Sequence, residues 1–210
     1  MSTTADHTIA TVEALREVVA PPGDGVAMKL GDRLDDFARD FIAECPFLVL
    51  ATASADGKAD ASPKGDDPGF VVVEDDHTLL IPDRPGNNLA FGLINIIETG
   101  QIGLLFIIPG TTETLRVNGR AELSRDPQLL EDLAARGKPA VLAIRVHVEE
   151  VFFHCAKAFL RSQLWKHETW PPKKKISFGA MFAAKLDAAD DEALVTLIDE
   201  SVEESYRTTL

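Results

Sequence analysis

Between Phe47 and Phe153 the chain is a succession of short, β-favouring apolar runs separated by turn residues. That pattern limits the fold more than any other feature. Phe47-Leu48-Val49-Leu50-Ala51-Thr52-Ala53 is almost continuously apolar and predicts a strand buried on both faces. Asp56-Gly57 is a hairpin signal, with Lys58 to Ser62 as the returning strand. Phe70 to Val73 and Thr78 to Ile81 flank a turn at Glu74-Asp75-Asp76. Gln101 to Ile108 follows, broken by Pro109-Gly110. Glu113 to Leu123 alternates until Asn118-Gly119, where a bulge is expected. Ala140 to Phe153 is the last strand. Links of this kind predict an antiparallel sheet, because a doubly wound sheet would interleave long helices with its strands.

Helical spacing is confined to the flanks and gaps. Residues 8 to 20 place Val12, Leu15, Val18 and Val19 on one side, and Pro21-Pro22-Gly23 stops them. A second helix, capped by Asp32, carries Leu34, Phe37, Ala38, Phe41 and Ile42 and ends before Pro46. Further helices are expected at Leu89 to Ile97, Pro127 to Arg136, Cys155 to Trp165, Ser177 to Lys185 and Asp190 to Tyr206. The expected fold is mainly β with flanking helices: an antiparallel, closed or split β-barrel. At 210 residues and 45% hydrophobic, one domain spanning 1–210 suffices, with helical extensions at 1–30 and 173–210.

The net charge of -13 argues against nucleic acid or an anionic membrane as a partner. Lys173-Lys174-Lys175 reads as a solvated loop after Pro171-Pro172. No apolar run approaches the ~20 residues of a membrane span, and the polar stretch Met1 to Ala10 is not a signal peptide. Cys45 and Cys155 form no disulfide framework, and neither they nor the histidines show metal-ligand spacing. Cys45 reads as a core thiol, and the chain as cytoplasmic with no metal.

Against this acidic background, three segments gather cations, hydroxyls and amides. Ser62-Pro63-Lys64-Gly65-Asp66 offers a hydroxyl and an ammonium where a strand meets a turn. It suits a phosphate, and it equally suits ordinary turn chemistry. Asp83-Arg84-Pro85-Gly86-Asn87-Asn88 precedes a helix whose free amides could face an anion; equally, an asparagine could simply cap that helix. Arg116 lies on the opposite strand face from Leu115 and Val117, towards a cofactor, a subunit interface or solvent. In a fourth segment, His154, Lys157, Arg161 and Trp165 fall three or four apart, which on a helix makes one basic and aromatic face. That face fits an anionic ring system, or a surface whose stems pack on the sheet. Cys155 beside His154 does not make a catalytic pair, since neighbours on a helix diverge.

The order Ser-Pro-Lys-Gly-Asp (62–66), Gly-Phe-Val-Val-Val (69–73), Ile-Pro-Asp-Arg-Pro-Gly-Asn-Asn (81–88) and Leu-Arg-Val-Asn-Gly-Arg-Ala-Glu (115–122) resembles the pyridoxamine 5'-phosphate oxidase-like FMN-binding proteins. The segment from Phe153 to Trp165 is similar to one bacterial branch of that superfamily, and the resemblance spans residues 30 to 172. It implies a flavin-binding split barrel and a homodimer with FMN at the subunit interface. It places Ser62, Lys64 and Arg84 at the FMN phosphate, with Asn87 and Asn88 beside them. It places Thr114 and Arg116 where the family reaches the flavin from the partner subunit, and His154, Lys157 and Arg161 near the ring. The implied function is an oxidoreductase acting on an unidentified small molecule. The alternatives are a non-catalytic flavin-binding or sensory protein, or a deazaflavin- or haem-using relative. The oxidase itself has Ser-Arg-Lys where this chain has Asp83-Arg84-Pro85, and its substrate-binding Arg/His pair has no counterpart here, so vitamin B6 oxidation is not implied.

Overall fold

The computed structural model describes residues 7–209, so most of the N-terminal stretch read above as no signal peptide lies outside it. The chain divides into two compact units, one from residues 1–84 and 89–161, the other from 85–88 and 162–210.

The first unit contains β1 (Phe47–Ala53), β2 (Ala59–Gly65), β3 (Val72–Asp75), β4 (Thr78–Asp83), β5 (Gln101–Ile107), β6 (Thr114–Ser124) and β7 (Leu142–His154). They form one seven-stranded sheet in the order β2-β1-β5-β6-β7-β4-β3, and each ladder is antiparallel. Short links force this arrangement: Gly57, at φ 82°, turns β1 into β2, and Gly110, at φ 87°, turns the chain between β5 and β6. The sheet curls. Leu48 and Leu50 of β1 share one buried cluster with Leu79 and Ile81 of β4, although these strands stand towards opposite ends of the strand order. No ladder joins β2 to β3 among the described residues, so the barrel is split rather than closed.

Helices α1 (Val12–Val18), α2 (Asp24–Ala27), α3 (Asp36–Glu44), α4 (Phe91–Thr99), α5 (Pro127–Asp132) and α6 (Lys157–Ser162) flank the sheet sequence. α3 puts Ala38 and Ile42 into the core, with Leu34 and Cys45 at its ends. Burial raises the Cys45 thiol pKa, as expected of a core thiol. Three helix expectations need correction. The cap of α3 is Asp35, whose carboxylate accepts from the Ala38 amide at 2.8 Å, not Asp32. Phe37 lies on the outer side of α3, 77% exposed. The predicted helix to Arg136 ends at Asp132, because Arg136 and Gly137 adopt left-handed conformations in a tight turn.

β1 is also not buried on both faces. Leu48, Leu50 and Thr52 are buried, but Phe47 and Ala51 are exposed. The apolar run sits in an antiparallel sheet covered on one side only. Its other side continues through Leu105 to Arg116 and Phe152, in register across four strands. The expected bulge is present: the β6–β7 register shifts between Asn118 and Gly119. A Cβ at Gly119 would stand 2.0 Å from the His147 carbonyl oxygen, so no side chain fits.

In the second unit, α7 (Phe178–Lys185) packs on α8 (Glu192–Thr209). Gly179 brings the two backbones together; a Cβ there would lie 2.1 Å from the Val195 carbonyl oxygen. Asp199 of α8 accepts from the Gly179 amide and the Ser177 hydroxyl, each at 2.7 Å, fixing the start of α7. Lys173 to Lys175 are exposed in irregular chain, and Lys175 pairs with Glu203. Among the described residues, no helix is long and apolar enough to cross a membrane.

Candidate cofactor site

The Ser62 and Lys64 segment does not leave the strand at Ser62; it remains in β2 to Gly65. Pro63 is tolerated there because β2 is an edge strand paired with β1 alone. Ser62 and Lys64 share one face of β2, two residues apart. Cross-strand partners set that face: Ser62 stands opposite Leu50 and Lys64 opposite Leu48, both buried, so the two polar residues lie on the core side. The Lys64 ammonium forms an ion pair with Asp83 at the end of β4. This bond joins strands that lie towards opposite ends of the sheet order, and it exists only because the sheet curls.

Arg84 follows directly. Its Nε donates to Asp66 Oδ2 at 2.9 Å, and Arg136 Nη1 reaches Asp66 Oδ1 at 3.2 Å. Asp66 is buried at the side chain, 3% exposed. Arg84 Nη1 is also buried and meets no hydrogen-bond acceptor. An unmet buried donor costs about 1–3 kcal/mol, more when charged, and it marks a position suited to an anion from outside the chain.

Ser62 has a helix beside it. A Cβ built on Gly92 of α4 would lie 3.7 Å from Ser62 Oγ. Ala90, at φ 54°, is the N-cap of α4 and makes no side-chain cap hydrogen bond. The asparagine cap expected from the sequence is therefore absent. Asn87 and Asn88 belong to the second unit.

The second group lies on β6 and β7. Thr114 stands opposite His154, and Arg116 opposite Phe152. The Arg116 guanidinium carbon lies 4.2 Å from the Phe152 ring centroid, and the His154 ring 4.9 Å from the same ring. Arg116 Nη2 is 3.8 Å from Glu150, whose other bond is to Asn118 Nδ2 at 2.7 Å. Arg116 Nε is buried without an acceptor. Thr114 is buried. Burial, and then the charge of Arg116, lowers the His154 pKa below its ordinary value. Arg116→Gln should raise it, though not fully, because the burial remains; an NMR titration of the imidazole protons measures this, and an unmoved midpoint would contradict it.

The single basic helix face is not formed. His154 is the last residue of β7 in extended backbone, and α6 begins only at Lys157. Lys157 and Arg161 do share α6, both exposed, but Gln163 at φ 52° ends it before Trp165. Cys155 is exposed in the bend between strand and helix. The Lys157 amide, more than the Lys157 charge, lowers its thiol pKa.

The ten expected residues thus fall into separate sets. Ser62 and Lys64 face the core side of the curled sheet, with Arg84 at the end of β4. Arg116 and Phe152 lie in register with Val49, on the open side. Sequence reasoning missed Asp66 and Asp83 as partners, and Arg136 altogether. The Arg136-Gly137 dipeptide was a turn signal that a helical reading of 127–136 concealed. A cavity of about 470 Å³ between α3 and the start of β6 is lined by Asp35, Asp40, Glu44 and Glu113 with phenylalanines. It contains none of the ten residues and no cation, and so suits no phosphate.

The sequence matches the family model described as pyridoxamine 5'-phosphate oxidase over residues 34–155. That is more than half of the chain, and the protein belongs to this family. Its curled antiparallel sheet with flanking helices is the split barrel expected of it. No curated protein matches. Among solved structures, HupZ of Group A Streptococcus is similar at 22% identity and a TM-score of 0.47, over 57% of this chain and 93% of that one. A putative pyridoxamine 5'-phosphate oxidase from Lactobacillus delbrueckii is similar at 24% identity and a TM-score of 0.45, over 58% and 95%. An FMN-binding protein from Syntrophomonas wolfei is similar at 9% identity and a TM-score of 0.42, over 68% and 96%.

Proposed function

We propose that this protein is a homodimeric FMN-binding flavoprotein that acts as an oxidoreductase on a small molecule. The observation that carries the reading is Arg84 Nη1, a buried cationic donor without an acceptor, in a chain of the pyridoxamine 5'-phosphate oxidase family. Ser62, Lys64 and Arg84 bind the phosphate. Asp83 and Asp66 compensate the two cations meanwhile. Bound FMN would supply hydride or electron transfer, and the protein would supply its binding geometry and surrounding charge.

The second copy follows from the sheet faces. Within one chain, Lys64 and Arg116 are on opposite sides of the sheet, so one chain does not line both ends of one flavin with them. The open side carries half-buried Val49, Leu105 and Ile107 around Arg116, a surface suited to a partner. Thr114 and Arg116 of one copy, with His154, Lys157 and Arg161, would then serve the flavin ring end of a site whose phosphate end belongs to the other copy. In this reading residues 1–210 form one flavin-binding domain with helical extensions at 1–30 and 173–210.

Mass spectrometry of the small molecule released on denaturing the purified protein tests the cofactor; FMN is expected, and a deazaflavin or haem would refute it. Bleaching of the flavin spectrum by NADH or NADPH, with recovery in air, is expected of a catalyst. A flavin that no reductant of this class bleaches favours the non-catalytic alternative. Sedimentation at low micromolar concentration should give a dimer; a clean monomer retaining flavin would refute the shared site.

A further inference from the structure

We infer that Asp66 is the positioning residue of the phosphate end: it holds Arg84 by Nε so that the Nη1 donor is left for the phosphate. The inference rests on the FMN reading above. Asp66 is where the chain leaves β2, and its amide is fixed to the Pro46 carbonyl at 3.1 Å. Its carboxylate is almost fully buried, so it cannot exchange partners with solvent. Both oxygens are occupied. Oδ2 accepts from Arg84 Nε at 2.9 Å, while Oδ1 accepts from the Asp67 amide at 3.0 Å and meets Arg136 Nη1 at 3.2 Å. The carboxylate is thus held from two sides and cannot rotate to take a second donor of Arg84.

A guanidinium is a rigid planar fork. Fixing Nε fixes the direction of the remaining donors, and Nη1 is the one left buried without an acceptor. Arg136 is the outer support of this arrangement. It sits in a two-residue turn in which Ala135 and Lys138 exchange backbone hydrogen bonds at 3.0 Å, with φ 51° at Arg136 and 73° at Gly137. Its guanidinium also approaches Asp67 at 3.6 Å. The cavity of about 230 Å³ lined by Asp66, Arg84 and Arg136 is too small to hold a flavin by itself.

Two effects of the Asp66 charge oppose each other. It orients Arg84, and it also offsets part of the attraction between Arg84 and a phosphate. Positioning dominates if the fixed direction of Nη1 matters more than the bare charge. The ratio of riboflavin to FMN dissociation constants isolates the phosphate end, because riboflavin lacks only the phosphate. A merely structural role for Asp66 would weaken both ligands together and leave the ratio alone.

The experiment titrates both flavins into apo wild type, Asp66→Asn and Asp66→Glu, with thermal melts to verify folding. In Asp66→Asn the ratio should fall at least tenfold, with riboflavin affinity within about twofold of wild type. In Asp66→Glu, which keeps the charge but moves it by one methylene, the ratio should fall several-fold; this variant decides the matter if Asp66→Asn does not fold. An unchanged ratio overturns the inference. So does a raised ratio in Asp66→Asn, which would mean that the carboxylate only competes with the phosphate. Wild type that binds neither flavin, or both equally, overturns the FMN-phosphate reading itself and this inference with it.

Discussion

Arg84→Ala is expected to weaken FMN binding by about 2–4 kcal/mol, or from about 30-fold to about 1000-fold, with riboflavin affected far less. A phosphate brings close to two negative charges, and this protein is strongly acidic overall, so the offset must be local. Arg84, next to the Lys64–Asp83 pair, has a buried donor to spare. The substitution also removes one of the two guanidiniums on Asp66, leaving the carboxylate with Arg136 and the Asp67 amide. Part of the measured loss will therefore be structural. Riboflavin serves as the internal control: a loss shared equally by both flavins would assign Arg84 to the fold rather than to the phosphate. Equal FMN dissociation constants for variant and wild type would remove Arg84 from the site.

Gly119→Ala should be among the most damaging single methyl additions in the first unit. The new Cβ would stand 2.0 Å from the His147 carbonyl oxygen and 3.3 Å from the Glu149 amide nitrogen. These are backbone atoms of the neighbouring strand, so no rotamer change relieves the contact. The β6–β7 ladder must open, and it is the longest in the sheet. Overpacking of this kind costs about 3 kcal/mol or more, and at a slope of about 2–4 °C per kcal/mol for a chain of this size the melting temperature should fall by roughly 6–12 °C. Gly103→Ala is the matched control. Its Cβ would meet the Asn118 side-chain oxygen at 3.2 Å, and a side chain can move aside. If thermal melts show the two variants to be equally stable, the bulge does not require glycine.

The bulge shows what local sequence can carry. Asn118-Gly119 interrupted the alternation of β6, and the register shifts there. Asp56-Gly57 and Pro109-Gly110 announced turns, and both glycines have the positive φ such turns need. Cys45 read as a core thiol and is buried. The family was legible too, since its motifs are contiguous runs whose order survives whatever the tertiary structure does. Where local reading failed, a neighbour distant in sequence had decided. β1 looked buried on both faces because apolar content does not say how many sides of a strand are covered. His154 looked helical because its spacing to Lys157 and Arg161 is helical, yet pairing with Thr114 keeps it in β7.

By itself, then, the sequence determined the antiparallel strand order along the chain, most turns, the helices at the flanks and the residue types able to meet an anion. Each depends on contacts within a few residues, where propensity and spacing act directly. Only the tertiary structure decided that Lys64 meets Asp83, that Arg84 and Arg136 share Asp66, and that Arg116 lies on the other side of the sheet from Lys64. The first two require the sheet to curl until strands towards opposite ends of its order touch, and the third follows from the registers of the β2–β1–β5–β6 ladders. Curling is set by side chains drawn from the whole unit into one core, and no window of sequence contains them.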